Sequence, residues 1–157
     1  MITSAGIIPF RVNDQGELEF FVGHPGGNHN KFSDYWAFLK GCVEENEDEG
    51  EAAIREFKEE TGLTMEDCPS DTLYYLGRTQ QNKYKIVVAY ALLYPNINPT
   101  ECYSNLAEDG VTPEIDRYAW MTLDRLAPCT HPSHIQFYDE IKRIYNERIA
   151  PQQEIDR

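Results

Sequence analysis

Residues 41–63 read GCVEENEDEGEAAIREFKEETGL, and nine of these 23 residues are acidic whereas only Arg55 and Lys58 are basic. Like charges crowded in this way repel one another, so they need either water or a positive partner. The excess is local, because residues 41–70 carry a net charge of −9 while the other 127 residues account for −4 of the total of −13. The stretch therefore predicts either a solvated acidic surface or a site that binds a cation.

Within this stretch, residues 49–61 predict a helix that ends at Gly62. A helical wheel puts three acids on one face, at spacings i, i+3 and i+4: Glu56, Glu59 and Glu60. A separate arc is expected to face the core: Ala53, Ile54 and Phe57. Arg55 precedes Glu59 by four residues and can orient or partly neutralise it. Mg²⁺ prefers carboxylate oxygens, but this face pattern alone fits a solvated acidic helix as well as a metal site.

The rest of the chain predicts a mixed sheet with two helices around it. Runs of β-prone, apolar residues lie at 4–12, 17–23, 35–39, 72–79, 84–94 and 114–123. The turn sequence NDQG joins the first two runs, which should pair antiparallel. Residues 131–149 carry apolar side chains at helical spacing, and residues 96–113 form a polar loop of a length that is often functional. One α/β or α+β domain over residues 1–157 is expected.

Composition narrows the class of protein and its partners. A net charge of −13 argues against broad binding to nucleic acid or to an anionic membrane, since both need a basic face. No apolar run approaches the roughly 20 residues that span a bilayer, and the first residues predict a strand rather than a signal peptide. The four cysteines lack C-x-x-C and zinc-ligand spacing, so reduced thiols and a cytoplasmic location are expected. None of these features predicts an oligomeric state.

The fixed positions of the acidic stretch resemble the Nudix box, the signature of the Nudix hydrolases. That signature runs Gly, five residues, Glu, seven residues, Arg-Glu, a bulky apolar residue, any residue, Glu-Glu, any residue, Gly and an apolar residue. All seven fixed residues are present: Gly41, Glu47, Arg55, Glu56, Glu59, Glu60 and Gly62. Chance would produce this match about once in 10⁵ such sequences or fewer. Phe57 stands where an aliphatic residue is usual, which affects packing more than chemistry.

The flanking segments SAGIIPFR, VGHPGG, WAFLKG and PEIDRYAW resemble one bacterial-type branch of that family, so the resemblance covers most of residues 4–120. It implies a Nudix fold, with a mixed sheet between helices and the box as loop, helix and loop. It also implies hydrolysis of a pyrophosphate bond in a nucleoside diphosphate linked to another moiety, assisted by Mg²⁺ or Mn²⁺. WAFLKG and the box favour dinucleoside polyphosphates as the substrate, followed by nucleoside triphosphates. ADP-ribose and nucleotide sugars are alternatives, and RNA 5′ ends are less favoured because no basic stripe is visible.

The resemblance also assigns roles to residues of the box. Three residues match its metal-binding glutamates: Glu56, Glu59 and Glu60. The backbone carbonyl of Lys40 is a further expected ligand, and Arg55 is expected to orient a glutamate. Three other residues are expected to hold the box in shape: Gly41, Glu47 and Gly62. The bound ions would neutralise developing charge on the phosphates and acidify water.

The general base and the substrate contacts stay open at this point. The base is either a box glutamate, such as Glu56 or Glu59, or a downstream carboxylate, for which there are three candidates: Glu108, Asp109 and Glu114. Five residues are candidate substrate contacts: His24, Lys40, Arg78, Lys83 and Lys85. A surface charge or a turn residue is the ordinary alternative for each. Trp36 and Phe38 could stack a base, although alternating aromatic residues more often belong to a sheet core.

A non-catalytic, ligand-sensing domain of the same fold is the alternative class of function. Such proteins usually lose one or more box glutamates, and all of them are present here. An enzyme that takes a small nucleotide pyrophosphate is therefore the favoured interpretation.

Overall fold

The computed structural model describes residues 1–27, 30 and 33–156. Six strands form one sheet: β1 (Ile2–Val12), β2 (Leu18–Pro25), β3 (Leu39–Cys42), β4 (Tyr74–Asn82), β5 (Lys85–Leu93) and β6 (Ile115–Met121). The α-helices are α1 (Glu49–Thr61), α2 (Leu123–Leu126), α3 (Ile135–Ile144) and α4 (Ala150–Ile155). Short 3₁₀ turns occupy Met65–Asp67, Pro99–Glu101, Ala127–Cys129 and Pro132–His134, and a π turn at Tyr145–Ile149 joins α3 to α4.

Strand β1 organises the sheet, because both of its edges are paired. The parallel strand β5 runs along one edge, with Ile2 opposite Lys85 and Phe10 opposite Leu93. The other edge is divided between two antiparallel strands, with β3 opposite residues 4–7 and β2 opposite residues 10–12. Strand β6 then pairs with β2. Strand β3 therefore lies in the middle of the sheet, and the chain continues from the end of β3 to helix α1.

Two apolar clusters cover the opposite faces of the sheet, because successive side chains of a strand point to opposite sides. The cluster that packs against α3 includes Ile8, Phe10, Phe20, Val22, Val87, Ala89, Phe137, Tyr138, Ile141 and Ile144. The cluster that packs against α1 includes Ala5, Ile7, Phe21, Leu39, Ala52, Ala53, Phe57, Val88 and Leu92. A mixed sheet between helices was predicted from the sequence, and this architecture is confirmed.

Helix α1 begins and ends where its sequence predicts. The side chain of Asp48 accepts a hydrogen bond from the backbone N–H of Glu51 at 2.7 Å and caps the first turn. Gly62 ends the helix with a φ of 76°, and its N–H donates to the carbonyl of Lys58 at 2.8 Å. A left-handed residue at this position favours glycine because it has no Cβ.

The predicted core arc of α1 is wrong in one respect. Ile54 is 38% exposed, whereas Glu56 and Glu60 are buried together with Phe57. The reason is that α1 packs against both β1 and β3. Its buried face therefore includes Glu56 and Glu60, which the positions of its apolar residues do not predict. The two glutamates thus point into the structure and not away from it.

Three other boundaries differ from the sequence prediction. In the run 35–39, Ala37 makes an isolated bridge to Gly23 and Leu39 begins the strand itself, which is residues 39–42. Strand β4 continues to Asn82, which leaves a tight turn before β5. The long loop of residues 96–113 contains a 3₁₀ turn and a bridge between Leu106 and Pro113. Among the helices of the described residues, none has the length and apolarity to cross a bilayer.

Candidate functional site

Glu56 and Glu60 lie one turn apart on α1 and form the acidic centre of the site. They are only 9% and 6% exposed, and they lie close enough for the charge of Glu56 to act on Glu60. Burial raises the pKa of Glu56. Burial, and then the negative charges of Glu56 and Glu114, raise the pKa of Glu60 to about 9. Two adjacent carboxyl groups in such surroundings need a shared proton or a bound cation.

Gly41 makes room for this pair. A Cβ at Gly41 would lie 2.1 Å from Cδ of Glu56 and 2.2 to 2.3 Å from its two carboxyl oxygens. These distances are far below van der Waals contact, so a side chain at this position would displace Glu56. The backbone of β3 can therefore approach the acidic centre only because residue 41 is glycine.

Arg55 ties the loop before α1 to the helix. Its Nε and Nη2 donate to the two carboxylate oxygens of Glu47 at 2.8 and 3.0 Å, and Nη2 also donates to the carbonyl of Cys42 at 2.9 Å. Its Nη1 donates to Glu56 at 2.8 Å and to Glu59 at 3.1 Å. The hydrogen bonds from Arg55 are the main cause that lowers the pKa of Glu47 to about 2. Glu47 and the carbonyl of Cys42 hold Arg55 in place, and Arg55 in turn fixes one oxygen of Glu56.

The three glutamates of α1 lie at different depths. Glu59 is partly exposed and accepts from the same Nη1 of Arg55 as Glu56 does, while Glu60 is buried beside Glu56. In the described ranges, no three acidic, histidine or cysteine side chains form a ready-made metal cluster. The donor set nevertheless fits a hard divalent cation, because two buried carboxyl groups would exchange their shared proton for it.

A group of basic side chains, which we call the lysine cluster, lies on the α3 side of the sheet, where Nζ of Lys40 is 5.5 Å from the ring centre of Phe38. Burial, and then the charge of Lys85, lower the pKa of Lys40 to about 8, while Glu60 acts in the opposite direction. Neither lysine takes part in an ion pair within the described part of the chain. His134 is fully buried nearby, with Nε2 2.8 Å from Oε1 of Gln81 and Nδ1 without a partner among the described residues. The two lysines of this cluster carry positive charge without an acidic partner, which suits binding of an anion.

The buried imidazole of His134 should make the fold sensitive to acid. Burial, and then the charge of Lys40, lower the pKa of His134 from 6.5 to about 3. Between these two values only the unfolded chain binds the proton, so the stabilisation is complete above pH 6.5 and is lost as the pH falls towards 3. Between pH 7.5 and pH 4.5, the free energy of unfolding of the unsubstituted protein should fall by about 2 kcal/mol because of His134. We expect His134→Gln to lack this part of the fall.

Urea unfolding at the two pH values measures this difference, with His131→Gln as the matched control. Equal losses in the unsubstituted protein and in His134→Gln would show that His134 is not the group responsible.

His24, a candidate substrate contact from sequence, does not reach the site surface. It is fully buried, with Nδ1 2.7 Å from Oδ1 of Asp116 and Nε2 2.7 Å from the carbonyl of Ser33. Both ring nitrogens of His24 are therefore occupied by partners inside the protein. The sequence prediction for His24 is therefore corrected: the residue links β2 to β6 through Asp116.

The other candidates are divided between the site and the surface. Glu114 is close enough to Glu60 to raise its pKa, whereas Glu108 lies on an exposed turn. Asp109 accepts hydrogen bonds from the backbone of the same turn, at Val111 and Thr112. Arg78 is paired with Glu49 at 3.2 Å, at the start of α1. Two further residues are placed away from the acidic centre: Lys83, exposed in the β4–β5 turn, and Phe38, buried in the core.

A groove of about 660 Å³ lies beside the C-terminal end of α1. We call it the aromatic groove, and its main lining residues are Trp36, Tyr103, Ser104, Asp116, Arg117 and Tyr118. The hydroxyl of Tyr118 donates to the backbone carbonyl of Glu60. Sequence reasoning singled out Trp36 but missed the others, because they meet only when the loop of residues 96–113 folds onto β6.

Comparison with known proteins identifies the family. A family model described as the NUDIX domain matches residues 3–141. The RNA pyrophosphohydrolase of Brucella anthropi is 26% identical over 136 residues, which is 80% of this chain and 78% of that protein. The m7GpppN-mRNA hydrolase of Saccharomyces cerevisiae is 26% identical over 106 residues, which is 68% of this chain. The chain spans only 10% of the length of the yeast relatives it matches.

Solved structures agree with this fold. A crystal structure of a C. elegans Ap4A hydrolase binary complex superposes with a TM-score of 0.64, covering 93% of this chain and 98% of the other. The sequence identity is 22%, so the likeness concerns the arrangement of the backbone alone.

Proposed function

The chain belongs to the NUDIX domain family, and from this premise we propose that it is a divalent-metal-dependent pyrophosphohydrolase. Its reaction would be the hydrolysis of a pyrophosphate bond in a nucleoside diphosphate linked to another moiety. The observation that carries the proposal is the buried pair Glu56 and Glu60, against which the glycine backbone of β3 packs. A non-catalytic surface would gain nothing from burying two carboxyl groups side by side.

Mg²⁺ or Mn²⁺ would be held by Glu56 and Glu60, together with Glu59 and the backbone carbonyl of Lys40. When bound, the ion supplies positive charge for the phosphate oxygens and acidifies water. Arg55 keeps one oxygen of Glu56 fixed through its hydrogen bond of 2.8 Å. The lysine cluster with Lys40 and Lys85 would bind the outer phosphates, since phosphate charge offsets their mutual repulsion. Arg78 and Lys83 are not part of this proposal, because Arg78 is paired with Glu49 and Lys83 is exposed in the β4–β5 turn.

Dinucleoside polyphosphates are the substrate class that we favour, with nucleoside triphosphates second. Two features support this choice: the lysine cluster, whose charge suits a polyphosphate chain, and the aromatic groove at the end of α1, which suits a flat group. The RNA pyrophosphohydrolase of Brucella anthropi makes RNA 5′ ends a class to test. The net charge of −13 disfavours a long RNA, because it works against phosphate binding outside the lysine cluster.

The test is incubation of the protein with Mg²⁺ and a panel of pyrophosphates, with the products resolved by chromatography. The panel contains diadenosine tetraphosphate, ATP, ADP-ribose, a nucleotide sugar and a 5′-triphosphorylated oligonucleotide. We expect the fastest hydrolysis for the dinucleoside polyphosphate. If no compound is hydrolysed with either Mg²⁺ or Mn²⁺, the enzyme proposal fails and a ligand-sensing domain takes its place.

Glu114 is our candidate for the general base. It lies near Glu60, whereas Glu108 is exposed on a turn away from it. We expect Glu114→Gln to lower kcat about 10²-fold, the lower end of what a positioned base contributes, and to leave Mg²⁺ affinity within a few-fold. Glu108→Gln is the matched control and should retain full activity. Unchanged kcat in Glu114→Gln would move the role to a glutamate of the box.

A further inference from the structure

The aromatic groove is not used by the chemistry proposed so far, although it begins where the acidic centre ends. The hydroxyl of Tyr118 donates to the carbonyl of Glu60, so the wall of the groove is attached to the residue that would hold the metal. The ring of Tyr103 comes within 2.5 Å of the position that a Cβ would take at Gly62, the residue after α1. The groove thus lies at the end of the helix that carries the acidic centre, on the side of Tyr103 and Tyr118.

The groove is lined by aromatic rings together with one acidic and one basic side chain, Asp116 and Arg117. Trp36 and Tyr118 are half-buried, and Tyr103 is 69% exposed, so its ring is open to a ligand. The guanidinium carbon of Arg117 lies 5.5 Å from the ring centre of Trp36. Aromatic rings and arginine planes are the surfaces on which nucleobases stack.

Asp116 provides the hydrogen-bonding group of the groove. Its Oδ1 lies 2.7 Å from Nδ1 of the buried His24 and 3.5 Å from Nε of Arg117. Within the described part of the chain, Oδ2 has no hydrogen-bond partner. The carboxylate is thus held by a side chain that is itself fully buried, while one oxygen stays free to accept from a ligand.

We propose that the aromatic groove is the subsite for the nucleoside of the substrate. The base stacks on Trp36 and Tyr103, and Asp116 accepts a hydrogen bond from an amino group of the base. This assignment rests on the proposed function for the position of the phosphates, and it adds selectivity for bases that carry an amino group. A ribose phosphate without a base would lack both contacts.

Binding of AMP without metal tests the subsite independently of hydrolysis. Trp120→Phe leaves Trp36 as the sole tryptophan, and its fluorescence reports stacking directly. We expect AMP to quench this signal saturably, purine riboside 5′-monophosphate to bind several-fold more weakly, and ribose 5-phosphate not to quench. Tyr103→Ala should weaken AMP binding about tenfold or more, a loss typical of one stacking ring. Tyr84→Ala removes an exposed tyrosine of the β4–β5 turn and is the matched control.

Calorimetric titration of the unsubstituted chain with AMP repeats the measurement without any change at Trp120. Equal affinity for AMP and ribose 5-phosphate, or an AMP affinity that Tyr103→Ala leaves unchanged, would overturn the proposal. Equal affinity for AMP and its purine riboside analogue would overturn the role of Asp116.

Kinetics separate this proposal from the proposed function. With an active enzyme, Tyr103→Ala should raise KM about tenfold while kcat stays within about twofold. If the enzyme is active and Tyr103→Ala leaves KM unchanged, the nucleoside subsite is contradicted and the hydrolase function is not. If the protein hydrolyses nothing but binds AMP in a way that depends on Tyr103, the hydrolase function is contradicted and the subsite is not.

Discussion

Replacing Glu60 by glutamine is expected to lower kcat/KM by about 10³-fold while the protein stays folded. Glutamine keeps the shape of the side chain but removes one of the two buried charges that would hold the metal. The raised pKa of Glu60 gives a second effect, because the folded metal-free protein keeps the proton up to about pH 9. Its stability therefore falls as the pH rises above about 4.5, where the unfolded chain loses that proton.

Glu60→Gln should be free of this loss, so without metal it should be at least as stable as the unsubstituted protein at pH 8. Thermal unfolding in EDTA and in Mg²⁺ measures both effects, because Mg²⁺ should stabilise the unsubstituted protein and have less effect on Glu60→Gln. Glu45→Gln removes an exposed acid of the same stretch and is the control. Full activity in Glu60→Gln would contradict the metal assignment.

Gly41→Ala should be nearly as damaging, although it adds only one methyl group. The added Cβ would come within 2.1 Å of Cδ of Glu56, and both β3 and α1 are held by their neighbours. Glu56 would have to leave its hydrogen bond with Arg55 and its place beside Glu60. We expect activity to fall about 10²-fold or more and stability to fall by about 1 to 3 kcal/mol.

The control for this change is Gly50→Ala, in the first turn of α1. A Cβ there would meet its nearest neighbour, Oδ1 of Asp48, at 3.4 Å, and alanine favours a helix more than glycine does. Steady-state kinetics and urea unfolding on both variants give the comparison. Gly41→Ala with the activity and stability of Gly50→Ala would show that β3 can move away from Glu56.

The sequence was sufficient for the family, the mixed sheet and the bounds of α1. Regular spacing and local caps determine these features, and Asp48 and Gly62 act within their own turns. The sequence also predicted a pairing of Arg55 with Glu59, which the structure contains at 3.1 Å. These features depend on residues a few positions apart.

The same reasoning was less successful for features that depend on tertiary packing. The burial of Glu56 and Glu60 depends on the position of β3, and the apolar run at 35–39 predicted that strand in the wrong place. His24 was predicted at the substrate, but Asp116, 92 residues later in the chain, holds it inside. The aromatic groove joins Trp36 to residues beyond 100, and no local pattern links them.

The parallel pairing of β1 with β5 also has a consequence for folding order. β1 contains residues 2–12, yet its parallel partner β5 begins only at residue 85. More than half of the chain must therefore be present before the first strand can be completed on both sides. Closing so long a loop costs entropy before any contact is gained, so folding is slow compared with that of a helical bundle of similar size. A ribosome-bound nascent chain that ends before β5 would expose the unpaired edge of β1, which is prone to aggregation. At this stage of synthesis the chain would depend most on chaperones.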